Sequence, residues 1–99
     1  MNRKERQWMT DTRRTIRLAI VAAEANRWAI VTSCAKSIKL DAERYHHDKI
    51  METKDLISSL AAVSPSEFEN NIAMRASAIR RLDEIKTLLG EALVATTDR

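Results

Sequence analysis

From Met1 to Val63 the chain contains neither glycine nor proline, and this absence constrains the fold more than any other feature. Tight β-turns depend on those two residues, and the whole sequence holds only one of each. Apolar or small residues recur instead at steps of three and four, which is the spacing of one face of an α-helix. The sequence therefore predicts an all-α protein.

The Ser64-Pro65-Ser66-Glu67 stretch is the clearest boundary in the chain. Ser64 suits the N-cap of a helix, Pro65 the first helical position, and Glu67 stands at capping-box spacing. The pattern predicts a long helix over about 10–62, then a second over about 65–95, folded as an antiparallel hairpin. An alternative is a break near 37–41, where Leu40-Asp41 could begin a new helix.

The hairpin also predicts which charged residues meet. If the chain reverses at Ser64, residues whose numbers sum to about 128 lie at the same height, since both helices rise about 1.5 Å per residue. Glu52 then faces Arg75, and Asp41 faces Lys86. Such pairs would penalise slipped registers, because an unpaired buried charge is costly.

The segment from Ile16 to Val31 is not covered by the second helix in this arrangement. It is apolar on two sides, and an exposed apolar surface of that size indicates an interface. We expect a second copy to cover it, giving a homodimeric helical bundle; the alternative is a fold-back onto the hairpin as a three-helix bundle. A monomer would leave the arginine-rich face described below as the main candidate for function.

Length and composition indicate the class of protein but say little about its role. The length predicts one domain over 1–99, with residues 1–10 as a basic arm that can fray. A single cysteine excludes an internal disulfide and favours a cytoplasmic location. The longest uncharged apolar run, Leu18 to Ala23, is far shorter than the roughly 20 residues that cross a bilayer.

Charge is distributed unevenly along the chain. Residues 1–17 carry six basic and two acidic side chains, whereas residues 41–69 carry three basic and seven acidic ones. On a helix the N-terminal arginines share one arc, and Trp8 lies beside them. Trp28 is expected to be either an interface anchor or a core residue. The predicted partner-binding residues are Arg3, Arg6, Trp8, Arg13, Arg14, Arg17 and Trp28.

Glu43-Arg44-Tyr45-His46 is the one stretch with metal-ligand spacing, because Glu43 and His46 would share a helical face. It resembles one half of the Glu-x-x-His element of ferritin-like di-iron bundles. The resemblance covers four residues. An exposed histidine pair, His46 and His47, is the commoner explanation.

No arrangement in the sequence predicts catalysis or a cofactor. Cys34 and the histidines are about 18 Å apart along one helix, and no glycine-rich loop can hold a phosphate. We therefore expect a small non-enzymatic interaction protein, an adaptor, regulator or inhibitor of the kind mobile elements carry, which self-associates and masks a larger protein. The alternatives are nucleic-acid backbone binding through the arginine face and a metal-binding bundle.

Overall fold

The computed structural model describes residues 2–97, with the side chains of residues 2–95. This part of the chain forms α1 (Arg3–Glu24), α2 (Trp28–Ala42), α3 (Asp48–Ala61), α4 (Pro65–Glu69) and α5 (Ile72–Thr97). It contains no strand, which confirms the all-α class. The predicted domain 1–99 includes Met1, Asp98 and Arg99, which lie outside the described residues.

The basic N-terminal residues belong to α1. Asn2 caps the helix: its Oδ1 accepts the Glu5 backbone N–H at 2.8 Å, and Glu5 Oε1 accepts the Asn2 N–H at 2.8 Å. This capping box satisfies two donors that a helix start would otherwise leave unpaired. Residues 3–10 are therefore helical rather than a separate arm.

The four longer helices form a closed ring in which each lies against its two neighbours. α1 packs on α2 and α5, and α3 packs on the same two helices. Trp8 of α1 contacts Tyr45, just beyond α2, while Trp28 at the start of α2 contacts Phe68 of α4. Neighbouring helices therefore run antiparallel, as an up-down-up-down bundle with Cα extents of 45 × 23 × 16 Å.

The single long helix predicted over 10–62 is wrong, because residues 25–27 and 43–47 interrupt it. At the first break Asn26 adopts φ 60°, a left-handed conformation that asparagine tolerates better than most residues. At the second, His47 caps α3 by accepting the Lys49 backbone N–H on Nδ1 at 3.1 Å. The apolar spacing of the sequence continues across both loops, so it does not mark either break.

The alternative break near 37–41 was closer, although α2 runs through those residues and ends at Ala42. This alternative did not predict the loop at residues 25–27. The outcome is a fold-back onto the hairpin with four long helices rather than three, within the part of the chain that the structure describes.

The reversal at Ser64 is confirmed, but the helix predicted over 65–95 is interrupted at residues 70–71. Asn71 begins α5 by accepting the Met74 backbone N–H on Oδ1 at 3.1 Å. Ser64 is the N-cap and Pro65 the first residue of α4, yet the Ser64 side chain makes no capping hydrogen bond. The predicted capping box at this site is therefore wrong.

The predicted pairing of Glu52 with Arg75 is wrong. Arg75 Nη1 instead donates to the carbonyls of Phe68 at 3.2 Å and Glu69 at 2.7 Å, the last carbonyls of α4. Glu52 lies 3.5 Å from Lys49 on its own helix. The break at residues 70–71 displaces Arg75 from the register of a continuous helix and brings its guanidinium to the C-terminal carbonyls of α4.

The second predicted pair, Asp41 with Lys86, is also wrong. Asp41 lies 3.5 Å from Arg44, and Lys86 lies 3.3 Å from Asp83. Both contacts join residues three apart along the chain, the spacing at which surface charges on a helix meet most easily.

The apolar segment from Ile16 to Val31 is partly covered within the chain. Ile16 and Val31 are fully buried, and Trp28 is 1% exposed. Leu18, Val21 and Ile30 remain exposed, at 62%, 66% and 44%. The fold-back thus buries one side of the segment and leaves part of its apolar surface in solvent.

Candidate functional site

The outer surface of α1 carries the predicted arginine face. Arg3, Arg6, Arg14 and Arg17 are exposed, and Arg13 is half-buried. The opposite side of the helix is buried against α2 and α5 and includes Met9, Thr12, Ile16 and Ala19. Helical periodicity therefore places the five arginines together along one side, as the sequence predicts.

Arg13 reaches from α1 onto α5. Its Nε donates to the Lys86 carbonyl at 3.4 Å, a long hydrogen bond. A Cβ built on Gly90 would lie 3.2 Å from both Nε and Nη2 of Arg13, closer than ordinary van der Waals contact. Gly90, which the sequence marks only as a weak point in a helix, leaves the space in which this guanidinium lies.

Two adjoining pockets flank the Arg13 side chain and share Arg13 and Leu93. The smaller, about 140 Å³, is here called the basic pocket; its lining residues are Thr10, Arg13, Arg14, Arg17 and Leu93. The larger, an open groove of about 620 Å³, is called the apolar trough; its lining residues are Arg13, Lys86, Thr87, Gly90, Glu91, Leu93, Val94 and Ala95. Together they place concentrated positive charge beside exposed apolar surface.

Within the described residues, the arginines of the basic pocket have no charge partner. In residues 2–97 no carboxylate lies within 4.0 Å of the guanidinium groups of Arg13, Arg14 or Arg17. Asp11, the acidic residue nearest in sequence, accepts a hydrogen bond from Gln7 at 2.9 Å. Three cations on one helical turn repel one another, so an external anion would be favoured there.

Both tryptophans predicted to bind a partner lie in the core instead. Trp28 is 1% exposed, stacks on Phe68 with ring centroids 4.7 Å apart, and donates from Nε1 to Asn26 Oδ1 at 2.6 Å. Trp8 is 4% exposed, and its buried indole N–H has no acceptor among residues 2–97. The core reading of Trp28 is therefore the right one, and neither ring is available to a partner.

The Glu43 and His46 pair does not have the helical geometry on which the metal hypothesis depended. α2 ends at Ala42, so both residues lie in the loop before α3. Glu43 lies 4.0 Å from Lys54, and His46 is exposed. No three His, Cys, Asp or Glu side chains of the described residues group closely enough to hold a metal ion.

Cys34 lies half-buried against the core, on α2. Burial raises the pKa of its thiol, because the thiolate would lose hydration. A thiol of this kind is less nucleophilic at neutral pH than an exposed one, so this environment favours a packing role.

Sequence reasoning located the arginines but missed the contribution of α5. Lys86, Gly90, Leu93 and Val94 complete the groove, and none was singled out as a binding residue. The one available signal was Gly90, a glycine inside an otherwise regular helical pattern, which often marks a close approach.

None of the helices in residues 2–97 combines the length and hydropathy needed to span a bilayer. Compared with family models, with curated proteins and with solved structures, the chain shows no significant match. Indications of function therefore come from the geometry of the groove.

Proposed function

We propose that this protein is a small non-enzymatic interaction module that binds an acidic surface of a larger protein through α1 and the α1–α5 groove. Its mechanism would be masking, in the manner of an adaptor, regulator or inhibitor. The observation that carries the proposal is the cluster of Arg13, Arg14 and Arg17, without an ion-pair partner in residues 2–97, beside the apolar trough.

The chemistry of the groove resembles that of protein interfaces. Arginine is enriched at such interfaces because its planar fork binds carboxylates bidentately and its stem covers apolar surface. Leu93 and Val94 supply the apolar part here, and Val94 is 60% exposed. Positive charge around this surface would speed encounter with an acidic partner, and the apolar contact would slow dissociation.

Self-association remains a prediction whose original reason is weakened. The fold-back buries Ile16, Trp28 and Val31, whereas Leu18, Val21 and Ile30 stay exposed. Three side chains are a small patch compared with the roughly 800 Å² per partner of a stable interface. Sedimentation equilibrium of the purified protein tests this point; a mass equal to one chain over a wide concentration range would remove the homodimer.

The experiment for the proposed function is site-specific photo-crosslinking in cells. A photoreactive residue replaces Val94 in the trough, and the captured protein is identified, purified and titrated against the native chain. Arg14→Glu/Arg17→Glu should weaken this binding by about a hundredfold, because two attractive contacts become repulsive. The matched control is Lys36→Glu/Arg80→Glu, an equal charge change at two exposed residues outside the groove.

The control variant should bind within about twofold of the native chain. Equal weakening by both double variants would show that binding follows net charge alone, and the proposal would be wrong. If neither double variant loses binding, the groove is not the docking surface.

Nucleic-acid binding is the second candidate, favoured by the length of the arginine row. Arg3 to Arg17 span about 21 Å along α1 at 1.5 Å per residue, enough to follow several phosphates. Glu91 in the adjoining trough opposes this reading, because a phosphate backbone would be repelled there. Titration with duplex and single-stranded DNA at two salt concentrations separates the candidates; steeply salt-dependent binding lost in Arg14→Glu/Arg17→Glu would favour nucleic acid.

A further inference from the structure

Resting on the proposed function, we propose that the basic pocket binds a phosphoryl group carried by a side chain of the partner protein. The pocket would then recognise a phosphorylated segment rather than acidic residues in general. Three features support this: the spacing of the arginines, the charge balance of the pocket, and the trough beside it.

The spacing of the arginines suits one tetrahedral anion. Arg13, Arg14 and Arg17 begin within about 6 Å of axial rise, slightly more than one helical turn. A carboxylate offers two oxygens and is satisfied by a single guanidinium fork, whereas a phosphoryl group offers three and can engage several forks. The pocket of about 140 Å³ has room for one such group, since a water molecule in the liquid occupies about 30 Å³.

The charge balance also favours a dianion. Among the described residues, those that line the basic pocket include three cations and no carboxylate. Thr10 Oγ1 already donates its proton to the Arg6 carbonyl at 3.0 Å, so the arginines are the main donors available to a ligand. Leu93 closes the α5 side, and this apolar wall strengthens the attraction between an anion and the guanidinium groups.

The apolar trough distinguishes a peptide from a nucleic acid. It begins at Arg13 and Leu93, the residues it shares with the basic pocket, and continues to Val94. A peptide with an apolar side chain close to its phosphorylated residue could occupy both sites. A polynucleotide backbone has no aliphatic side chain to fill the trough, and Glu91 would repel a phosphate placed there.

The first test is an NMR titration of the full chain, following the arginine Nε–H signals. Inorganic phosphate and acetate are added separately at matched ionic strength and pH 7.5. Phosphate should shift the signals of Arg13, Arg14 and Arg17 saturably, at about tenfold lower concentration than acetate, while Arg80 and Arg81 serve as controls. Equal responses to the two anions, or equal shifts of all arginines, would overturn the proposal.

The second test uses a short peptide with phosphoserine next to leucine, its unmodified form and a single-stranded oligonucleotide. The phosphopeptide should bind about tenfold tighter than the unmodified peptide. Arg14→Lys/Arg17→Lys keeps the charge but removes both forks, so it should abolish that difference, whereas Arg80→Lys/Arg81→Lys should retain it. Arg14 and Arg17 are exposed, which leaves the fold of the variant intact.

The outcomes separate this inference from the proposed function. If phosphate and acetate bind alike while Arg14→Glu/Arg17→Glu still releases the captured partner, the phosphoryl inference is wrong and the acidic docking surface stands. If the charge reversal has no effect on the partner either, both are wrong. Tighter binding of the oligonucleotide than of the phosphopeptide would overturn the inference in favour of nucleic acid.

Discussion

The two ends of the bundle each contain a tryptophan against another aromatic ring, but they are built differently. At the end containing Asn26, Trp28 and Phe68, here called the stacked end, the rings lie 19° from parallel and the indole N–H is satisfied. At the end containing Trp8 and Tyr45, called the tilted end, the rings meet at 53° with centroids 6.1 Å apart. The buried indole N–H there finds no acceptor in the described part of the chain.

The difference indicates that the stacked end contributes more to the stability of the fold than the tilted end. A buried donor without a partner costs about 1–3 kcal/mol of desolvation, which the stacked end avoids. Arg3 and Arg6, at the start of the arginine face, lie on the first turns of α1 toward the tilted end. The first arginines of the proposed binding face thus lie away from the stacked end.

The largest expected effect comes from removing the stacked ring. Trp28→Ala should lower the free energy of unfolding by about 3–5 kcal/mol, because it empties a fully packed site and removes the hydrogen bond to Asn26. Trp8→Ala should cost at least about 1 kcal/mol less, since it also removes an unpaired buried donor. Urea denaturation of both variants measures the difference. Equal losses of unfolding free energy would mean that the two ends stabilise the fold equally.

Substitutions at Asn26 test how much its left-handed backbone conformation matters for the stability of the stacked end. Asn26→Val should cost about 1–2 kcal/mol, because a β-branched residue is strained at φ 60°. Asn26→Gly relieves the strain but loses the acceptor of the Trp28 indole, and should cost clearly less. If valine and glycine are equally tolerated in thermal unfolding, the left-handed turn is not what joins α1 to α2.

The matched Trp→Phe substitutions isolate the indole N–H at each end. Trp28→Phe should cost about 1 kcal/mol through the lost hydrogen bond and the smaller ring, whereas Trp8→Phe should be close to neutral because the lost donor was unpaired. Denaturation curves with equal m-values allow the two costs to be compared. A larger cost for Trp8→Phe would show that its N–H has a partner in solution.

Cys34, on α2 between the two ends, has the smallest expected effect. Its thiol pKa is raised by burial above the ordinary 9.0, so its contribution to stability is complete below that pH. The contribution is lost as the pH rises through the folded-state pKa. Unfolding free energies measured from pH 8 upward should therefore fall more steeply for the native chain than for Cys34→Ala; identical slopes would contradict burial of the thiol.

The sequence predicted the class, the reversal at Ser64 and the arginine face because each depends on local chemistry or on helical periodicity. It could not reveal the loop at residues 25–27, since Ala25-Asn26-Arg27 carries no glycine or proline and the stripe continues in phase across it. Nor could it place Trp28, because buried interfaces and cores use the same residues. The pairing of Glu52 with Arg75 failed because it required a register that the Asn70-Asn71 break removes. The pairing of Asp41 with Lys86 failed because the break at residues 43–47 places α2 against α1 and α3 rather than against α5.

The central claim is that α1 folds back onto α5 of the same chain, so that Arg13 lies on Gly90 and completes the groove. An isotope-filtered NOE experiment on a mixture of labelled and unlabelled chains tests it most directly. We predict contacts between the Arg13 side chain and the Gly90 Hα, within one chain only, because the guanidinium lies against Gly90. Absence of these contacts, or their appearance between differently labelled chains, would contradict the account.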